Sequence, residues 1–324
     1  MMIDHQLTSR NKHEILPFEE IDSFRRACDD FFAGRIANSH TRKAYLRAAR
    51  QFFAWCDTRG VPPKGVTAGL IARYFNERGW AVPTEKQHLA ALRSLFDHLV
   101  AERLLDINPA ASVRRARYSQ DEGKTAEITT AEVRRLLSTI DTSNVLGLRD
   151  RAIIGVLNFT GARVGAIAAL RLGDIRDDGS ITTLHFREKN GKRRAVPVRP
   201  DLESWLRAYQ HAADIDCDPR MNRDAPLFRC VQWDKSSRRL ITNKSNMTPE
   251  YMRRMIKRRC KAANLSERIT PHSFRVKTVT TLLQAGQPLE DVQYLVGHAD
   301  PRTTRLYDRR KKRVTWDLVN SIPG

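Results

Sequence analysis

The sequence predicts a mainly helical protein with a small β-sheet: an N-terminal helical bundle followed by a mixed α/β domain. Three observations carry this. Apolar residues recur at spacings of three and four through roughly the first hundred positions, with no stretch of strand character among them. Two stretches rich in β-branched residues, 181–186 (ITTLHF) and 195–198 (AVPV), flank Asn190-Gly191, a strong hairpin signal. A chain of 324 residues, 41% of them apolar, is long enough for two domains with separate cores.

Residues 1–18 read as an arm, 19–107 as the bundle, 108–127 as a basic linker, 128–310 as the second domain and 311–324 as a tail. The first helix starts at Ile21, with Phe24, Cys28, Phe31 and Phe32 on its apolar face. The second runs from Ser39, as N-cap, to near Gly60. Its stripe is Tyr45, Ala48, Ala49, Phe52, Phe53 and Cys56, with Arg42, Lys43, Arg47 and Arg50 on other faces. The third begins at Thr67 and carries Leu70, Ile71, Tyr74 and Phe75. The fourth opens with the capping-box pattern Thr84-Glu85-Lys86-Gln87 ahead of Leu89, Leu92, Leu95, Phe96 and Leu99. In the linker, Pro109 and Gly123 break the period, and Arg114, Arg115 and Arg117 supply charge. Such a segment suits either plain solvation or passage across a DNA backbone.

The second domain opens with another capping box, Thr129 to Glu132, and a helix through Ile140. A strongly apolar helix over 148–159 breaks at Thr160-Gly161, and a short helix follows through Leu170. After the hairpin comes a helix over about 202–213, then a polar, irregular stretch over 214–247. Thr248-Pro249 starts a basic helix that ends near Leu265. Thr270-Pro271 starts the next, which ends at Gly286, and a last helix over 289–296 stops at Gly297.

The formal net charge is +20 and the pI about 10.3. A polyanionic partner, nucleic acid above all, accounts for such a balance, with binding that weakens steeply in salt. Mean hydropathy is −0.52, no apolar run reaches the length of a membrane span, and the N-terminus lacks a signal-peptide core. The expected compartment is the cytoplasm, with no membrane partner. The five cysteines are scattered and form no CxxC pair, which argues for reduced thiols over disulfides or zinc. With no Walker-A loop, no HExxH and no acidic cluster, no cofactor or metal is expected.

Chemistry-bearing residues concentrate between Thr270 and Arg309: His272, Arg275, His298 and Tyr307. His272 and Arg275 stand three apart in the first turn of a helix, near its positive end, a natural phosphate site. The order HSFR, LLQAG, LVGH, TTRLY resembles the C-terminal motif block of the tyrosine recombinases, the phage-integrase family. That block runs H-x-x-R, G-H, then a tyrosine, here nine positions after His298. Upstream, Thr160-Gly161-Ala162-Arg163 resembles the family's first-arginine segment, and 188–197 (EKNGKRRAVP) its lysine-bearing hairpin. Lys189 is the best match for that lysine, with Lys192 as competitor.

The resemblance implies a SAM-like core-binding domain ahead of a catalytic domain of the tyrosine recombinase type. It implies that Tyr307 attacks phosphorus, that His272 takes its proton, and that the hairpin lysine protonates the leaving 5′ oxygen. Arg163, Arg275 and His298 would stabilise the phosphate. Arg42, Lys43, Arg47, Arg114 and Arg115 are candidate DNA contacts. The partners implied are double-stranded DNA with inverted-repeat sites and three further copies of the chain, as a homotetramer on paired sites. Two positions depart from the pattern: Ala166 stands where family members carry an acid, and Val276 where histidine is common. Asp150, Asp174 and Glu188 are the carboxylates that could substitute. A non-catalytic DNA-binding protein of the same fold and a DNA-relaxing topoisomerase of type IB kind are the alternatives. In the tail, Trp316, Leu318, Val319 and Ile322 are too apolar for free solution, so it packs on its own domain or on a neighbouring protomer.

Overall fold

The computed structural model describes residues 22–114, 125–187, 193–215 and 222–297, together with Thr304. The expectations for the arm, Ile21, Arg115, Arg117, Gly123, Glu188 to Lys192, His298, Tyr307 and the tail lie outside the described residues. Two compact units are present, one within 1–119 and one within 120–324.

The first unit is helical: α1 (Asp22–Asp30), a wider π turn (Phe31–Arg35), α2 (Ser39–Asp57), α3 (Ala68–Arg78) and α4 (Val82–Ala101). Its core is unusually aromatic. Phe24, Phe31, Phe52, Phe53, Tyr74, Phe75 and Phe96 are all buried, and Phe52 meets Phe53, Tyr74 and Phe96 edge-on. Two helix starts differ from expectation. Asn38, not Ser39, caps α2, its Oδ1 accepting from the amides of His40 and Thr41. α4 begins before Thr84, because Pro83 fits the first turn, where an amide would be orphaned anyway. Residues 108–113 belong to this core: Ala110 and Val113 are buried in it, and Arg93 donates to both their carbonyls.

In the second unit, α5 (Thr130–Ser138) starts with the capping box between Thr129 and Glu132. At the centre lies α6 (Val145–Thr160), most of whose residues are buried. α7 (Val164–Ala168) follows it, then β1 (Ile175–Asp177), β2 (Thr182–Arg187) and β3 (Arg193–Pro197). These strands form one antiparallel sheet in the order β1-β2-β3, with Leu184 facing Val196 and Phe186 facing Arg194. α8 (Pro200–Ala212) packs on α6 so closely that a Cβ on Gly155 would stand 2.8 Å from Leu202 and Trp205.

The stretch read as irregular contains a second antiparallel hairpin, β4 (Arg229–Asp234) and β5 (Arg239–Asn246). Its turn escaped notice because no Asn-Gly or Pro makes it. The Asp234 carboxylate accepts from the amides and hydroxyls of Ser236 and Ser237, and Arg238 takes the left-handed conformation at φ 51°. The remaining helices are α9 (Pro249–Ala262), α10 (Pro271–Gln284) and α11 (Leu289–Val296), ending at left-handed Gly297.

Between α6 and α9 lies a buried ion cluster. Asp150 is fully buried and accepts from Arg149 on one oxygen and from Arg258 and Arg259 on the other. Gly147, in the first turn of α6, has no room for a side chain, since a Cβ would stand 1.6 Å from the Asp141 carbonyl oxygen. Gly147→Ala therefore loses about 2–3 kcal/mol or more of stability in chemical denaturation. Gly69→Ala, where the nearest atom is 3.8 Å away, is neutral to stabilising.

Candidate active site

The site is built on the break between α6 and α7. Thr160 ends α6, its Oγ1 donating to Val156 O and accepting from the amide of Ala162. Gly161 then turns left-handed at φ 57°. Its missing side chain matters twice over. A Cβ there would be strained, and it would stand 3.0 Å from Val296 of α11 and 3.5 Å from Thr278 of α10. The turn is wedged where these two helices meet.

Helix α10 is riveted to this turn. Arg275 is 1% exposed, and its Nη1 donates to the Gly161 carbonyl at 2.7 Å. One turn on, Thr278 donates to Asn158 O at 2.9 Å and Lys277 to Asn158 Oδ1 at 3.0 Å. Proline in the first turn and Ser273 Oγ accepting from the Thr270 amide fix where α10 starts. Arg163, two residues beyond Gly161, sits at the N-cap of α7 with an exposed side chain. It reaches across 134 positions of sequence to donate to the Gly297 carbonyl at 3.1 Å.

Arg163, His272 and Arg275 are thus brought together. Desolvation, and after it the charges of Arg275 and Arg163, hold the pKa of His272 below the ordinary 6.5. A neutral imidazole beside two guanidiniums at a helix N-terminus can accept a proton next to a bound anion. The arginines cannot lose theirs and offer planar, paired donors to phosphate oxygens.

Lys189, Lys192, His298 and Tyr307 lie outside the described residues, but their flanks are described. Arg187 and Arg193 are paired at the end of the sheet beside the lysine-bearing turn. Gly297 immediately precedes His298, and Thr304, three residues before Tyr307, is helical and fully buried.

The two departures from the family pattern have local explanations. Val276 is buried and packs with Val279, Leu283, Val292 and Val296, which join α10 to α11. Ala166 is buried in the main core. Neither described carboxylate makes up for the missing acid. Asp150 is engaged by Arg149, Arg258 and Arg259, and Asp174 by the Arg171 amide and Arg187.

Of the candidate DNA contacts, Lys43 and Arg47 are exposed on α2 and continue in a stripe to Arg50, while Arg114 is exposed after the bundle. Arg42 differs. Its Nε and Nη2 both donate to Ile36 O, closing the end of the π turn, so its fork is spent on the fold. Sequence reasoning passed over Arg194, which is buried in β3 and donates to Leu295 O at the end of α11. The available signal was the two-residue alternation that puts Arg194 on the same face as Val196.

Among the described residues, no group of histidines, cysteines and carboxylates could hold a metal, and no helix is long and apolar enough to cross a membrane. Sequence comparison matches residues 126–313 to the phage integrase family and residues 24–106 to the phage integrase N-terminal SAM-like domain. The tyrosine recombinase XerD of Listeria monocytogenes is 29% identical over 299 residues, covering 89% of this chain and 94% of the relative. XerD of Pseudomonas aeruginosa is 27% identical, over 86% and 89%. The fold is similar to that of the XerH site-specific recombinase bound to its difH substrate, with TM-score 0.64 at 20% identity over 93% of this chain and 83% of that one. It is also similar to a lambda integrase dimer bound to a core site, with TM-score 0.63 at 18% identity over 91% and 98%. With a family model matching residues 126–313, more than half its length, the chain belongs to the phage integrase family.

Proposed function

We propose that this protein carries out site-specific recombination of double-stranded DNA through a covalent 3′-phosphotyrosyl intermediate. The observation that carries the reading is the convergence of Arg163, His272 and Arg275 on the Gly161 turn. In this reading Tyr307 attacks the scissile phosphorus and its proton passes to His272. Lys189, or Lys192 in its place, protonates the departing 5′ oxygen. Arg163, Arg275 and His298 hold the non-bridging oxygens as charge builds up in the five-coordinate transition state. The bond energy stays in the phosphotyrosine, so rejoining to a second strand needs no nucleotide.

The helical bundle, with residues 108–113 packed into it, would grip one side of the duplex through Lys43, Arg47 and Arg50, and the chain from Arg114 on would lead past the backbone with Arg114 and Arg115. Residues 128–310 would cut. Helix α9 adds a second basic face: Met252, Met255, Ile256 and Cys260 are buried, while Arg254, Lys257, Arg258 and Lys261 are exposed. The structural relatives include a lambda integrase tetramer bound to a Holliday junction. By analogy this chain would act as a homotetramer on paired inverted-repeat sites, in the cytoplasm.

A duplex enriched by the protein from a random-sequence pool, then nicked next to the mapped cleavage position, supplies the test. The wild-type protein forms an adduct that survives denaturing electrophoresis, and Tyr307→Phe forms none while binding with nearly unchanged affinity. An adduct in the Phe variant would falsify the nucleophile assignment. Binding loses on the order of 10³–10⁵ in affinity between 50 and 200 mM salt if about six to ten phosphates are contacted, as titration on that duplex measures.

The depressed pKa of His272 gives a pH prediction. In the free protein its NMR titration lies below 6.5, so the neutral, proton-accepting form holds down to that pH and is lost only below it. Arg163→Ala removes a repelling charge and moves the titration upward. A downward move would remove Arg163 from the neighbourhood of the base.

A further inference from the structure

Strand β3 buries an arginine. Along Arg193–Pro197, alternation turns Arg194 and Val196 inward and Arg193, Ala195 and Pro197 outward. Arg194 is 4% exposed, and its guanidinium lies over the ring of its cross-strand partner Phe186, 4.7 Å from the centroid. Its Nη1 donates to the carbonyl of Leu295, in the last turn of α11. Two residues on, the Gly297 carbonyl accepts from Arg163. Guanidiniums from two distant parts of the chain therefore close one helix end, where orphan carbonyls and the negative end of the dipole favour cations.

Chain position gives this closure a consequence. The helix end passes through Gly297 directly into His298, and Arg194 follows Lys189 by five positions and Lys192 by two. The hairpin is part of a small sheet whose first strand has three residues. Its inner face near the turn is completed by the Phe186–Arg194 pair. A hairpin ladder alone is marginally stable, so an anchor outside it adds to how firmly β2 and β3 are held.

We propose that Arg194 is a positioning residue: it fixes strands β2 and β3 against the end of α11, and proton transfer from the lysine in the segment that joins them depends on that anchor. The inference rests on the recombinase reading above. Arginine is suited to the task because one planar group both stacks on a ring and directs an N–H at a carbonyl, where an ammonium acts only as a point charge with no fixed orientation. Displacing an acid by about 1 Å costs on the order of 10²-fold in rate.

The test uses the leaving group. In cleavage the Tyr307 oxygen bonds to phosphorus, its proton goes to His272, the P–O5′ bond breaks, and the 5′ oxygen takes a proton from the lysine. With sulfur in place of the bridging 5′ oxygen, the electron pair leaves on a thiolate that needs no proton. Single-turnover cleavage of the enriched nicked duplex is measured with oxygen and with sulfur at that atom. Arg194→Ala cleaves the oxygen substrate about 10²-fold more slowly, cleaves the sulfur substrate within a few-fold of wild type, and binds DNA as wild type does. Arg194→Lys regains part of the rate, and if the alanine variant does not fold, the same comparison on the lysine variant decides. A full rate on oxygen, or an equal loss on both substrates, overturns the inference. Lys189→Ala and Lys192→Ala are run alongside, and whichever regains its rate on sulfur is the acid. If neither does, the general-acid reading falls and this inference falls with it; if a lysine variant regains its rate on sulfur and Arg194→Ala does not, the inference alone falls.

Discussion

The hydrogen bond from Arg275 to the Gly161 carbonyl is the interaction on which the site depends. It joins two helices whose sequences are more than a hundred positions apart, and it does so with a residue that cannot be neutralised. A guanidinium 1% exposed is costly to bury unless it is hydrogen-bonded, and the Gly161 carbonyl supplies one such bond at 2.7 Å. The position of α10 against the end of α6 is therefore tied to this side chain.

Other constraints follow from that junction. Gly161 must lack a side chain because α11 and α10 close over it, and Arg163 must leave the turn in an extended conformation to cap α7 and reach Gly297. Once there, it closes a helix end, and its charge adds to desolvation and to Arg275 in lowering the pKa of His272. Val276 contributes by packing: where family members often place a histidine, this chain spends the position on the apolar seam between α10 and α11. The seam holds the turn before His298 with dispersion and burial in place of a polar group.

Much of this was legible in the sequence because it depends on local rules. Thr129 and Glu132 named a capping box, Thr248-Pro249 and Thr270-Pro271 named helix starts, and Gly161 and Gly297 named helix ends. What escaped depends on distant partners. The β4–β5 turn is made by one aspartate bonding forward to two serines, a pattern that reads equally as polar loop. The commitment of Asp150 to three arginines is invisible without α9 in place, so its candidacy as a substitute active-site acid could be judged only in three dimensions. Arg42 was a candidate DNA contact, but a carbonyl six residues earlier accepts from both Nε and Nη2 of its fork.

The surroundings of Ala166 bear on how Arg163 and Arg275 are held. Ala166 is buried in the main core, so a carboxylate at that position would be taken out of water and would need partners of its own. The Gly297 and Gly161 carbonyls each accept from one of the two guanidiniums. Both carbonyls belong to left-handed glycine turns at helix ends, whose direction is fixed by backbone geometry. The placement of α10 and α11 therefore contributes directly to where the two cations point.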